Sequence, residues 1–324
     1  MFGKKQTYDG LISVVMPSYN HERYIGAAVD SVLGQTYSNL ELIIVDDGST
    51  DNSAEILERI TDPRVRVFAQ KNQGAHAAIN RGLGLATGEY VAILNSDDTF
   101  CPDRFGRAID VMHKYSNVGL VSTWIEIINS EGRHLGIKEG WRNCEPWPIR
   151  NPGKSFKACS DFKLNLLMTN FVSSTSNIVM RRSVVEKVGG MRNLRFAHDW
   201  DFLLRAAEHF DCHQIEKPLL RYRVHETNTI STNRKWMLFE ICWVLAANLD
   251  RFLGKIILTD AESKMARRDV GLLFESVEFQ GNDKVFWMIK AFIDGFKVRG
   301  VARPEEILLE DKALREKFIE YVAE

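Results

Sequence analysis

Four short apolar or β-branched runs, separated by stretches with helical spacing, constrain this chain more than any other feature. They are Ile12–Met16, Leu42–Val45, Val65–Phe68 and Tyr90–Leu94. Runs of this length and composition suit strands rather than helices. Between them, Ile25, Val29, Val32 and Leu33 mark one apolar helix face, and Ile56, Leu57 and Ile60 mark another. The alternation predicts an α/β fold, with a Rossmann-like, mostly parallel sheet and helices on both faces. In such sheets ligands bind beyond the carboxyl ends of the strands.

Carboxylates and polar residues collect at those ends. Pro17–Asn20 follows the first run, Asp46-Asp47-Gly48-Ser49 the second, and Asn95-Ser96-Asp97-Asp98 the fourth. A third acidic cluster, His198-Asp199-Trp200-Asp201, opens a helical pattern further on. Like charges grouped after an apolar run are costly to desolvate unless a cation or hydrogen-bond donors meet them. They suit a site for a metal and a nucleotide. Local roles compete with that reading: Asp97 and Asp98 precede Pro102 as helix caps do, and Asp46–Ser49 has the composition of a turn.

Composition narrows the class. A formal net charge of −1 over 324 residues argues against a general nucleic-acid binder. The five cysteines, Cys101, Cys144, Cys159, Cys212 and Cys242, are scattered and form no C-x-x-C pair, which predicts a reduced, cytoplasmic protein. Residues 1–10 are polar and carry no secretory signal pattern.

The strand signal ends near residue 234, so the expected division is an α/β domain over 1–233 and a helical region over 234–324. Helices are predicted at Trp236–Leu253, Ala261–Phe279, Val285–Phe296 and Pro304–Val322. Trp236–Leu249 is apolar nearly all round but is interrupted by Glu240 and too short to span a bilayer. This region is expected to pack on the catalytic domain and to support either homodimer formation or peripheral membrane contact at the inner face. Lys290, Lys297, Arg299 and Arg303 would then meet anionic headgroups. Gly140–Lys157, rich in Pro, Gly, Asn and Trp, reads as a long loop, and it and Asn170–Asn177 are the candidates for substrate contact.

The ordered set Val14-Val15-Met16-Pro17-Ser18-Tyr19-Asn20, Ile44–Asp51 and Gly88–Asp98 resembles the family-2 glycosyltransferases of the A-type fold. The resemblance continues through Gly189-Gly190, Asp199-Trp200-Asp201 and Tyr222-Arg223-Val224-His225, covering residues 11–232. It implies inverting transfer of a sugar from a nucleotide diphosphate donor, a UDP-sugar above all, to an acceptor hydroxyl. The acceptor class is a saccharide or a lipid-linked glycan, in polysaccharide or glycoconjugate synthesis. It also implies a divalent cation, Mn²⁺ or Mg²⁺, on the diphosphate. By the same resemblance Asp98 and His225 are metal ligands and Asp97 faces the ribose. Pro17, Tyr19, Asn20, Asp46, Asp47 and Asn72 line the donor site, and Asp199 is the base that takes the acceptor proton. Here the metal motif opens with Asn95, and His198 stands where the family usually has glutamate. Arg221 and Arg223 are further candidates for the diphosphate.

Two other classes compete. A nucleotidyltransferase would share sheet and metal but would show a Gly-rich basic loop after its first strand, which Pro17–Asn20 lacks. A non-catalytic sugar-nucleotide-binding protein would need no base at Asp199.

Overall fold

A computed structural model of the chain describes residues 9–140, 162–226, 233–256 and 281–323. Residues 141–157 of the expected loop, and the helix expected at 261–279, lie outside these. The expected strands appear as β1 (Ile12–Ser18), β2 (Leu40–Asp46), β3 (Val65–Ala69) and β4 (Tyr90–Ile93). They pair in parallel, in the order β3-β2-β1-β4, with Ile12 opposite both Leu40 and Tyr90. Every residue of β1 is buried, polar Ser13 and Ser18 included, which is the mark of a parallel strand covered on two faces.

Beyond β4 the sheet is mixed. Five more strands complete it: β5 (Thr99–Phe100), β6 (Val118–Ile128), β7 (His134–Lys138), β8 (Val179–Arg181) and β9 (Asp211–Arg223). The order continues β4-β8-β6-β9-β5, with β7 on β6. β8 enters antiparallel between β4 and β6, while β6 and β9 run parallel. Helices α1 (Ile25–Leu33), α2 (Ser53–Glu58), α3 (Ala75–Leu85), α4 (Arg104–Lys114) and α6 (Arg182–Val188) accompany these strands. α1 buries Ile25, Val29 and Val32, as its spacing predicts. α3 lies close against β1. A Cβ at Gly82 would sit 2.3 Å from Cγ1 of Val15, so only glycine permits this approach.

The chain divides into two compact units, and the division is not a single cut at residue 233. The sheet unit comprises 1–138, 174–190 and 210–223; the helical unit comprises 139–173, 191–209 and 224–324. The helical unit therefore takes α5 (Phe162–Met168) and α7 (His198–His209) along with α8 (Arg234–Ile256) and α9 (Asp283–Val298). The helix expected from Pro304 is broken. Pro304–Glu306 makes one 3₁₀ turn, followed by α10 (Ile307–Glu310) and α11 (Lys312–Glu320). The break falls at Asp311, whose backbone is extended and whose carboxylate accepts from Leu314 N–H at 2.9 Å as an N-cap.

No described helix is long and apolar enough to cross a membrane. Two of the residues expected to meet headgroups form ion pairs. Lys290 lies 3.1 Å from Asp250 and 2.6 Å from Asp294, and Lys297 lies 3.0 Å from Asp250, so both bind α9 and α8 together.

In the helical unit Asp201 is fully buried in the first turn of α7. Its carboxylate meets Arg192 at 3.1 Å, Arg205 at 2.9 Å and Asn248 of α8 at 3.1 Å. Arg192 goes on to Glu305 at 2.7 Å and Glu306 at 3.3 Å. Desolvation works to raise the Asp201 pKa, but Arg205, Arg192 and Asn248 together outweigh it and hold the carboxyl below its ordinary range. Such a group stabilises the fold above the unfolded-state pKa, and that contribution fades as pH falls. Asp201→Asn is expected to lower unfolding free energy by about 3 kcal/mol at neutral pH, since it strands buried guanidinium charge. Denaturant titrations should show that difference shrinking in acid, as the wild-type carboxyl gains its proton; a constant difference would contradict the ion-pair account.

Candidate active site

In the sheet unit, the ends of β1, β2 and β3 are tied to one another by side chains on the turns that follow them. Asn20 adopts a left-handed backbone (φ 54°), which asparagine tolerates better than most residues. Its N–H donates to Ser49 Oγ at 3.0 Å and its Oδ1 accepts from Thr50 N–H at 2.8 Å. Asp46 accepts from Ser49 N–H at 3.1 Å and from Ser49 Oγ, closing the turn after β2. Gly48 sits at φ 77°, with the Asn72 nitrogen 3.0 Å from where a Cβ would stand.

Asp47 is committed to the loop between β3 and α3. Its oxygens accept from Gln70 Nε2 (2.8 Å), Gln73 N–H (2.9 Å) and Gly74 N–H (2.8 Å). Pro17 is buried opposite Val45, whereas Tyr19 is 45% exposed and Asn72 is exposed. The six residues expected to line a donor site thus gather at the carboxyl ends of adjacent strands. Two of the acids, Asp46 and Asp47, shape the turns there.

The end of β4 distinguishes its two aspartates. Asp98 is 1% exposed; one oxygen accepts from Ser176 Oγ at 2.6 Å and the other from Arg223 N–H at 2.9 Å. Burial first, then the charge of Asp97, pushes its pKa well above the ordinary value, against the pull of Ser176 and Arg223. Each Asp98 oxygen thus accepts from a protein donor, and the residue is far less open than Asp97, whose side chain is 13% exposed. Asp97 faces the other way, toward His21, whose Nε2 lies 4.0 Å from its Oδ2. The other ring nitrogen, Nδ1, is 2.8 Å from Ser96 Oγ, which fixes the imidazole's orientation. His21 was not singled out in the sequence, although it directly follows Asn20. An imidazole and a carboxylate with ligand atoms this close suit one divalent ion.

Arg223 clamps main chain. Its Nε donates to Asp97 O at 2.9 Å and its Nη1 to Asn129 O and Ser130 O, each at 3.2 Å, beneath the Tyr24 ring. It is 7% exposed, which does not suit the expected diphosphate contact, and Arg221 pairs with Glu126 at 3.0 Å. Residues 174–177, the end of the Asn170–Asn177 candidate, brace the motif. Ser176 Oγ also accepts from Asn95 N–H at 2.9 Å, and Thr175 Oγ1 donates to Asn95 Oδ1 at 2.9 Å. Beneath it the buried Arg104 donates to Thr123 Oγ1 at 2.8 Å and to Ser176 O and Asn177 Oδ1 at 3.3 Å; desolvation pulls its pKa down to about 9.

In the helical unit, Asp199 stands in the first turn of α7 and is 6% exposed. Its Oδ1 accepts from Trp200 N–H at 2.7 Å and its Oδ2 from Asn170 Nδ2 at 3.0 Å. Trp200 anchors the turn by donating from Nε1 to Leu166 O at 2.7 Å. Burial lowers the pKa of the neighbouring His198, against the charges of Asp199 and Asp201, so the ring is neutral at neutral pH. Asp201 is held by its arginines. His225, half buried, follows the end of β9 by two residues.

An uncharacterized glycosyltransferase of Nostoc sp. is 34% identical over 184 residues, 55% of this chain and 52% of that one, so the match spans about half of that relative. Among solved structures, Staphylococcus aureus TarS 1–349 in complex with UDP-GlcNAc aligns over 95% of this chain and 88% of its own, with TM-score 0.60 and 18% identity. The mannosyltransferase PcManGT of Pyrobaculum calidifontis, in complex with GDP-Man and Mn²⁺, aligns over 98% and 86%, with TM-score 0.54 and 16% identity. At such identities these two show a shared fold. The sequence profile of the family described as glycosyl transferase family 2 matches residues 13–189, more than half of the chain and all of its donor-side motifs, and the chain belongs to that family.

Proposed function

We propose that this protein is an inverting, metal-assisted glycosyltransferase that moves a sugar from a nucleotide diphosphate donor, a UDP-sugar, to an acceptor hydroxyl in polysaccharide or glycoconjugate synthesis. The observation that carries the reading is the end of β4, where Asp98 is buried against Ser176 and Arg223 while the more open Asp97 stands beside an oriented imidazole. In a family-2 chain this reassigns the cation from Asp98 to Asp97. His21 joins it in the donor set, and the family resemblance is the ground for proposing His225 as a further ligand. A mixed imidazole and carboxylate set favours Mn²⁺ over Mg²⁺, which prefers oxygen and water. Such an ion, when bound, neutralises charge building on the leaving diphosphate.

The chain's own residues supply the rest. The turns tied by Asp46, Asp47 and Asn20 form a rigid rim on which Tyr19 and Asn72 meet base and ribose, with Asp46 accepting from the uracil N–H. Asp199 accepts the proton of the acceptor hydroxyl as its oxygen bonds to the anomeric carbon and the bond from that carbon to the phosphate oxygen breaks. Asn170 and Trp200 N–H hold the carboxylate in place for this. One displacement inverts the anomeric centre. TarS and PcManGT, captured with UDP-GlcNAc and with GDP-Man and Mn²⁺, support a sugar nucleotide as donor.

Two experiments test this. In a panel of sugar nucleotides with and without saccharide acceptors, one donor is expected to release nucleotide only with divalent metal. Asp97→Asn is expected to cut that turnover about 10²-fold or more with its melting temperature kept, whereas Asp98→Asn, which sets an amide against Arg223 N–H, is expected to lower the melting temperature. Full metal-dependent turnover in Asp97→Asn would reject the reassignment. Asp199→Asn is expected to keep donor binding by calorimetry and to lose about 10²-fold or more in kcat, since an amide takes no proton. Unchanged kcat would reject Asp199 as the base.

A further inference from the structure

Glu240 is the one charge within the apolar stretch Trp236–Leu249 of α8, and in the fold it is 1% exposed. A carboxylate removed from water costs several kcal/mol unless donors meet it. Three main-chain N–H groups do so in succession: Arg195 at 2.8 Å on one oxygen, Phe196 at 2.7 Å and Ala197 at 3.0 Å on the other. These are the residues that lead directly into α7. Asp201 N–H donates to Ala197 O at 3.1 Å, so Ala197 stands at the helix entrance, where N–H groups lack partners within the helix. Asp199 follows two residues later. Glu240 therefore grips the backbone on one side of Asp199, while Asn170 grips its side chain on the other.

We infer that Glu240 is a positioning residue for Asp199, setting the entrance of α7 so that the carboxylate stands where the acceptor hydroxyl needs it. Packing alone would be served by leucine at this place on an apolar helix. A charge that collects three consecutive N–H groups instead fixes the path of the segment, and a negative charge at a helix start also agrees with the helix dipole. Burial pushes the Glu240 pKa up, and the N–H donors of Arg195, Phe196 and Ala197 draw it back in part. Proton transfer from a bound hydroxyl is sensitive to displacements of about 1 Å, so a shift of this entrance reaches the chemistry before it reaches donor binding.

The inference rests on Asp199 being the base, and its test separates the two. Glu240→Gln keeps the shape but turns an amide N–H₂ toward one of the three donors. With kcat expressed per donor-binding site counted by calorimetry, this variant is expected to lose about tenfold in kcat, with donor KM within about twofold of wild type. In an Asp199→Asn background the same change is expected to cost nothing further, because Glu240 acts through Asp199. An unchanged kcat per site, a loss carried by donor KM, or losses that multiply in the double variant would each overturn the positioning role. Full activity of Asp199→Asn alone would overturn the base, whatever Glu240→Gln did. Should Glu240→Gln fail to fold, Glu240→Asp, which keeps the charge and withdraws it by one methylene, goes through the same cycle with the same expected and contrary results.

Discussion

A carboxylate taken out of water must be met by donors, and this fold depends on how that demand is satisfied. Asp47 gathers the loop after β3, Asp98 joins the end of β4 to the end of β9, Asp201 draws together arginines and α8, and Glu240 receives the entrance of α7. Each of these acids is at most 3% exposed and each spans a long sequence separation. Their neutral isosteres would leave at least one donor facing another donor, which costs more than the hydrogen bond itself is worth. These acids build the frame, and the acids proposed to do chemistry, Asp97 and Asp199, are the ones the frame holds in place.

This arrangement explains why paired acids recur in the chain. In Asp97-Asp98 one member is spent on Ser176 and Arg223 so that the other is presented beside His21. In Asp199–Asp201 one is spent on Arg192 and Arg205, while the other is oriented by Asn170. A two-residue offset on a helix turns side chains well apart, which is why Asp199 and Asp201 can serve different neighbours. Adjacent residues after a strand separate in the same manner. The structural acid fixes the backbone, and the backbone aims its neighbour.

Much of the sheet was legible from sequence. β1, β2, β3 and β4 declare themselves as apolar runs, and α1 shows its buried face at helical spacing. β8 was not legible, because three residues carry no periodicity, and β9 was hidden by Glu216, Lys217 and Pro218 in its middle. The distinction between Asp97 and Asp98 could not be read at all: neighbouring carboxylates are chemically alike, and the donors that separate them, Ser176 and Arg223, lie 78 and 125 residues away. The same holds for the division of the chain. α7 reads as part of one continuous domain, but Asn248, Glu240 and Glu305 bind its surroundings to the helices that follow. Glu240 looked like a blemish in an apolar helix until its three partners were in view.

The central claim is that Asp98 serves the fold so that Asp97 serves the cation. Anomalous diffraction at the manganese edge, from crystals of the wild-type protein grown with Mn²⁺ and UDP, reads this directly. The account predicts one manganese peak in bonding contact with an Asp97 oxygen, with Asp98 still bound to Ser176 and Arg223 N–H. A manganese ion coordinated by Asp98, with those two hydrogen bonds broken, would contradict it.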